Sequence, residues 1–360
     1  EVGDSSSNIV DSRKHMDLLF SKAKDKILDA EDITVFTHTD CDGITAGSIL
    51  SSIFDKLEID HSVNFVDINE VENLTTDTDL TIISDLGAGQ NVSNICDNSN
   101  KSVIVLDHHP PIRKLGTKLK GNLIEINPNY YGLDGSYTIS GGGLSYLLAK
   151  SFHFYDLSWM GILSAVGDMQ NSMTGRLRGL NTEILNDGKE VGCVDYTNDL
   201  LLYGRHTRPL FVALSYFGDI HLPLTNNRNE CVYFLENLGI PVKNDLGSVR
   251  YLCDLSMDEK SKLFGELLKM MTREVPDSPK LISGETYEFT FEEDYTPFKD
   301  ASEYSTVINA CGRNNNYELG MDVIKGHRAQ RHVELEALVK EHKQYLAQSL
   351  TKIQENNSVE

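Results

Sequence analysis

The chain has 360 residues, enough for two or three domains with cores of their own, which excludes a disulfide-stapled miniprotein. Lys+Arg 33 against Asp+Glu 54 leaves a net charge of −21, which repels polyphosphate and excludes a general coating of non-specific nucleic-acid contacts. Apolar residues at 40% and charged residues at 24% lie near the globular average and exclude wholesale disorder.

The first thirty residues lack the pattern of a signal peptide, and no run of about 18 apolar residues occurs, so a cytoplasmic protein without membrane contact is expected. Glu1 in place of Met implies that the ends of this chain are not those of the gene product. The cysteines, Cys41, Cys96, Cys193, Cys231, Cys253 and Cys311, are scattered with no C-x-x-C, which argues for reduced thiols. From Asn8 to Ala30, Ile9, Val10, Met16, Leu18, Leu19, Ala23, Ile27 and Leu28 recur at near-helical spacing and predict a first amphipathic helix. ITVFT (33–37) reads as a strand running into THTDCDG and then a helix, ITAGSILSSIFDKL. LTIISD (80–85) and SVIVLD (102–107) repeat the strand, and NLIEINP (122–128) adds another that Pro128 stops. This alternation predicts an α/β fold with a mainly parallel sheet covered on both faces.

SGGGLSYLLAKSF (140–152) and LSWMGILSAVGDM (157–169) read as helices, the first opening at a glycine-rich turn suited to close backbone approach or to an anion. Beyond about residue 185 the pattern becomes more helical, through LLYGRHTRPLFVALSYFG, NECVYFLENLGI and MDEKSKLFGELLKMM. ETYEFTFEE (285–293) then alternates like a strand, ASEYSTVINACGR (301–313) reads as a helix or helix-turn, and a long helix is expected from Ala329 to Gln354.

Polar groups gather at the strand ends: His38, Asp40 and Asp42 after the first, Asp85 closing the second, Asp107, His108 and His109 closing the third. In open α/β sheets that edge binds ligands. Asp40 or Asp42 taken alone reads equally well as a helix cap. Together these carboxylates crowd negative charge that cations must neutralise, and a pair of divalent metals does so. Oxygen-rich ligands with imidazole and no thiolate favour Mn²⁺ or Mg²⁺. On this reading, neutralising Asp42 should stabilise the metal-free protein.

THTDCDG (37–43), IISDLG (82–87), VIVLDHH (103–109) and SAVGDMQ (164–170), in this order, resemble the four motifs of the DHH phosphoesterases. YGRHTRPL (203–210) and ASEYSTVINACGR resemble segments of the archaeal RecJ-like branch, which includes a nuclease associated with the GINS replication complex; the resemblance covers most of residues 30–345. It implies a two-metal centre with Asp85 as the bridging carboxylate. His38 and Asp40 would complete one metal site, and Asp42, His108 and Asp168 the other. Asp107 would orient an imidazole, and His109 would face the substrate phosphate or the leaving oxygen. Arg205, His206, Arg208 and Arg313 are candidate phosphate contacts, as are Arg176 and Arg178 on a loop, because guanidinium forks match phosphate oxygens. Tyr130, Tyr131 and Tyr137 are candidates for base stacking.

The implied organisation is a parallel-sheet DHH catalytic domain over 1–185, a mainly helical middle region over 186–275, and a partial C-terminal substrate-binding region over 276–360. A later glycine-rich G-G-G-H or G-G-x-R motif, usual in such families, is missing from the chain. The implied activity is a 5′→3′ exonuclease on single-stranded DNA or RNA, using two Mn²⁺ or Mg²⁺ ions to activate water and releasing nucleoside 5′-monophosphates. Two alternatives stand beside it: a phosphodiesterase for short oligonucleotides or cyclic dinucleotides, and a replication scaffold related to the eukaryotic helicase subunit of this family. Single-stranded nucleic acid and GINS or replicative-helicase components are the implied partners.

Overall fold

A computed structural model gives the structure of the protein, described for residues 6–97, 99–217, 222–271 and 279–340. Helix α1 (Ser6–Leu28) buries Met16, Phe20, Ala23 and Ile27, spaced by three and four residues, along one stripe. Strand β1 (Asp32–Thr37), helix α2 (Cys41–Leu57) and strand β2 (Asp60–Phe65) follow, then β3 (Leu80–Ser84), β4 (Ser102–Leu106) and β5 (Asn122–Ile126). All five strands are parallel, in the order β2-β1-β3-β4-β5.

In β1, β3 and β4 successive side chains go to opposite faces. Ile33, Val35, Ile82, Ile104 and Leu106 enter the large core under the helices, while Phe36, Ile83, Val103 and Val105 enter a smaller core with Val66, Val71 and Ile95. The helical face is built by α2 and, after the short turn α3 (Gly135–Thr138), by α4 (Gly141–Ser151) and α5 (Ser158–Gly167). Helix α6 (Leu180–Glu190) leads into β6 (Val194–Leu200).

Helices α7 (Leu210–Ser215), α8 (Arg228–Asn237), α9 (Met257–Met271) and α10 (Pro279–Ile282) gather around a separate core that includes Leu214, Leu235, Leu252, Leu263 and Leu267. The chain then returns through β7 (Ser283–Phe289), antiparallel to β6. Tyr287 and Phe289 of β7, with Tyr304 and Ile308 of α11 (Ala301–Arg313), rejoin the large core, and α12 (Tyr317–Ile324) packs on α2 and α11. Of the region expected over 276–360, the described elements β7, α11 and α12 are therefore interleaved with the N-terminal sheet unit and do not stand apart from it.

Two strands escape the sequence reading. β2 is half-exposed along its length and carries Asp60, His61 and Asn64, and β6 carries Asp195, Asn198 and Asp199. Of LLYGRHTRPLFVALSYFG, expected to be helical, only Leu210–Ser215 among the described residues forms a helix, immediately after Pro209. The tail is helical over 328–340, and the rest of its expected helix lies outside the described residues.

Candidate metal centre

The strand order reverses between β1 and β3, and a ligand crevice opens at the carboxyl end of such a switch. Register makes the site there: Thr37 pairs with Ser84 and Ser84 with Leu106, so the three strands stop level. The next residues are His38, Asp85 and Asp107, followed by Asp40 at the start of α2 and Asp42 in its first turn, and by His108 and His109 on the loop after β4.

Asp40 caps α2, its Oδ1 accepting the Gly43 N–H at 3.0 Å. Its Oδ2 lies 3.1 Å from His38 Nδ1, which is 3.6 Å from Asp85 Oδ2. On the other side, His108 Nε2 lies 3.3 Å from Asp85 Oδ1, 3.5 Å from Asp42 Oδ2 and 3.8 Å from Asp168 Oδ2. His38 with Asp40 and Asp85, Asp42 with His108 and Asp168, and Asp85 with His108 and His109 form three overlapping groups, in each of which the ligand atoms lie close enough together to share an ion. Asp85 stands between them with a φ of +60°, a left-handed conformation that Asp tolerates better than most residues.

The surrounding groups fix the ligands. The Gly135 carbonyl accepts from His108 Nδ1 at 2.8 Å, which leaves Nε2 facing the carboxylates. Asp107, fully buried, accepts from the Ala88 N–H at 2.8 Å, from the His109 N–H at 3.1 Å and from His109 Nδ1 at 2.7 Å. Asn127 and Asn129, just past β5, donate to the His109 and His108 carbonyls at 2.8 Å each. Asp42 is held from two helices: the Gly141 and Gly142 N–H groups of α4 donate to it at 2.8 and 2.7 Å, and Ser164 Oγ of α5 bonds it closely. The anion at the glycine-rich helix start is thus a carboxylate of the chain itself. Gln170 donates to Asp168 at 2.9 Å and to the Gly135 carbonyl at 3.0 Å, and accepts from Asn181 at 2.6 Å. Sequence reading missed Gln170, Asn181, Asn127, Asn129 and Ser164, because only the fold brings them near the strand ends.

The electrostatics are those of a site built for cations. Asp85 is pushed well above the usual carboxylate range by burial and by the Asp42 and Asp40 charges. Burial and the Asp42 charge raise Asp168 to about 6. Burial opposes a charged imidazole at His38, but Asp40 and Asp85 outweigh it and raise the ring to about 10. His108 moves the same way against burial, through Asp85 and Asp42. Both Asp85 oxygens and His108 Nε2 are buried without a hydrogen-bond partner. Unpaired polar atoms of this kind are costly, and divalent cations with oxygen and imidazole ligands satisfy all three. Cys41, between two of the carboxylates, is buried in the core and belongs to none of the ligand groups.

The expected phosphate contacts divide. Arg205 and His206 are buried: Arg205 lies 2.8 Å from Asp199, 3.5 Å from Glu288 and 3.8 Å from Asp300, and His206 lies 3.2 Å from Glu288. Arg205 Nε and Nη1 have no hydrogen-bond partner, and the residue borders a cavity of about 150 Å³. Both side chains are buried and already closed on carboxylates, with Lys260 on the same Asp199, so the expectation for Arg205 and His206 is corrected to a buried ionic junction. Arg208 is partly exposed and stacks between Tyr203 and Tyr216, 4.6 and 4.7 Å from the ring centroids. Arg313 is exposed at the end of α11, whose Gly312 abuts the Thr39 carbonyl and Asp40. Tyr130 donates to the Arg113 carbonyl at 3.0 Å and Tyr131 stacks on His15, so both are engaged in packing.

Among the described residues no helix is long and apolar enough to cross a membrane. Residues 32–164 match the family model described as the DHH family, N-terminal domain, and residues 202–280 match that of the DHH-CID domain. An uncharacterized protein of Methanocaldococcus jannaschii, MJ0831, is 30% identical over 324 residues, 88% of this chain and 69% of its own. Among solved structures, CDC45 from Entamoeba histolytica shares the fold over 95% of this chain and 73% of its own, at 16% identity and a TM-score of 0.63. The exonuclease RecJ bound to manganese aligns over 94% of this chain and 66% of its own, at 15% identity and a TM-score of 0.46. The two domain matches occupy the sheet unit and the helical unit in turn, and with the relative that spans both the chain belongs to the DHH family.

Proposed function

We propose that the chain is a metal-dependent phosphodiesterase acting on single-stranded nucleic acid, with Mn²⁺ or Mg²⁺ held by His38, Asp40, Asp42, Asp85, His108 and Asp168. The observation that carries this is Asp85: a buried carboxylate with no hydrogen bond to either oxygen, shared between groups of ion ligands. A protein that had given up chemistry would gain stability by dispersing that buried charge, which favours catalysis over a purely structural role.

His38, Asp40, Asp42, Asp85, His108 and Asp168 would hold divalent ions, which would supply a water of lowered pKa and positive charge for the phosphate oxygens. The chain's own groups do the rest. Asp107 holds His109 half-exposed at the edge of the site, and this imidazole is raised by its bond to Asp107, so it can offer a proton to a departing oxygen. Arg208, partly exposed, and Arg313, exposed, neither with a carboxylate partner among the described residues, are the proposed backbone contacts. GINS or helicase components remain proposed partners through the likeness to CDC45 in fold.

The test is incubation with 5′- and 3′-labelled single-stranded DNA and RNA in Mn²⁺, Mg²⁺ or EDTA, with products resolved by length. Shortening from one end that EDTA stops, and that Asp85→Ala abolishes, is the expected result. Intact substrate under every metal condition overturns the reading.

A further inference from the structure

Beside the metal centre, between the loop 171–179 and the β6–β7 sheet, lies a cleft of about 710 Å³, within the range of small-molecule sites. Gln170 joins the two places, since it lines the cleft and donates to Asp168. Tyr137 lines it from the turn whose Gly135 carbonyl holds His108.

The loop is pinned to the sheet at alternate residues. The Glu285 N–H donates to the Gly175 carbonyl at 2.6 Å, and the Leu177 N–H donates to the Tyr287 hydroxyl at 2.8 Å. Gly175 and Leu177 are buried, so Arg176 and Arg178 are turned outward at the cleft. Neither guanidinium has an ion pair or side-chain hydrogen bond among the described residues. By contrast Arg13, Arg113, Arg205, Arg250, Arg328 and Arg331 each close on a carboxylate. In a chain at −21, two adjacent unpaired arginines form a local positive site. On the sheet side stand Tyr196, with the Lys189 ammonium 4.6 Å from its ring centroid, and Glu285, one of whose oxygens accepts from the Tyr287 hydroxyl.

We propose that this cleft is a nucleotide subsite, in which Arg176 and Arg178 hold the phosphate next to the scissile one while Tyr137 and Tyr196 face its base. The proposal rests on the phosphodiesterase reading and names where that site grips its substrate. The chemistry assigns the ends: guanidinium forks take phosphate, and the Glu285 carboxylate repels a second phosphate but accepts from an exocyclic amino group. A cleft of this size holds a terminal nucleotide or two, not a long strand, so the grip is the same for short and long substrates.

The test uses two 3′-fluorescein probes, the deoxycytidine dinucleotide pCpC and a 5′-phosphorylated dodecadeoxycytidylate, with anisotropy read in EDTA and in Ca²⁺ against Arg176→Ala/Arg178→Ala. The double variant should bind both probes at least about tenfold more weakly, by the same factor. For the dodecamer its log K against log salt should flatten by about 0.7, one phosphate contact. The Mn²⁺-induced rise in melting temperature should match the wild type, which shows that the fold and the metal centre are intact. Wild-type binding without cleavage would sink the hydrolase and leave the subsite to the variant comparison. Equal affinity of variant and wild type, a loss confined to the dodecamer, or no wild-type binding of either probe overturns the subsite.

Discussion

Asp42 and Asp85 are both buried carboxylates at the same sheet edge, yet their surroundings give them opposite responses to neutralisation. Asp42 accepts two backbone N–H groups and a hydroxyl, whereas Asp85 has no donor on either oxygen. An asparagine at 42 would turn an NH₂ group toward those donors, so Asp42→Asn should lose about 1–3 kcal/mol. The sequence-based expectation of a gain is thereby reversed, and it moves to Asp85. Asp85→Asn removes a buried charge that its neighbours repel, so in EDTA its melting temperature should rise by a few degrees, about 1–2 kcal/mol. The same variant should lose the rise that Mn²⁺ gives the wild type, and with it all hydrolysis. Thermal scans of both variants in EDTA and Mn²⁺ check the pair of predictions; a fall for Asp85→Asn in EDTA would show that its carboxylate is satisfied after all. The acidic residues themselves were legible, because each sits at the end of an apolar β-rich run. Which of them is satisfied was not, since the Asp42 donors lie about a hundred residues away on another element.

At the scale of elements, helix α4 touches the centre through its first residues, and a side chain there has nowhere to go. A Cβ on Gly141 would lie 2.6 Å from Asp85 Cβ and 2.9 Å from Asp85 Oδ1. Gly141→Ala should therefore cost about 1–3 kcal/mol of overpacking and weaken Mn²⁺ binding by displacing Asp85. The control is Gly265→Ala within α9, where a Cβ meets nothing within 4 Å and the helix should gain about 0.5–1 kcal/mol. Denaturant unfolding with and without Mn²⁺ separates the two; equal behaviour would remove the claim that α4 is pressed against the centre. Helix α9 is clasped in turn to the preceding loop by Arg250, whose Nη1 and Nη2 donate to Glu259 at 2.8 Å each. The Arg250 bond holds Glu259 down to about 2. A depressed carboxylate stabilises above its unfolded value near 4.5 and loses that contribution as pH falls toward 2. Glu259→Gln should thus melt a few degrees below wild type at pH 7, and the gap should close as pH falls from about 4.5 toward 2; a gap that stays constant over that range excludes the ion pair as its source. The parallel core strands were legible as short β-branched runs. β2 and β6 were not, because polar edge strands with Asp and Asn have the composition of loops, and their pairing is decided by partners elsewhere in the chain.

At the scale of the whole molecule, the helical core and the sheet unit are joined where charge concentrates. Arg205 sits 2.8 Å from Asp199 of β6, and Lys260 of α9 reaches the same carboxylate at 2.5 Å. The His206 N–H donates to Glu303 of α11 at 2.9 Å, so one short segment meets β6, β7 and α11. From sequence, YGRHTRPL offered three cationic groups with nothing to rank them; folding sends Arg205 and His206 inward and leaves Arg208 outside between two half-exposed tyrosines. The two arginines should then separate in two independent measurements. Arg205→Ala leaves buried carboxylates uncompensated and should cost about 3–5 kcal/mol in urea unfolding. Where the protein stays folded, the salt dependence of oligonucleotide binding should match the wild type. Arg208→Ala should cost about 0.5–1 kcal/mol of cation–π contact, and it should flatten log K against log salt by about 0.7, the contribution of one single-strand phosphate. The opposite pattern, a flattened slope for Arg205→Ala and an unchanged one for Arg208→Ala, would put the buried guanidinium on the path of the substrate and the stacked one in the role of packing.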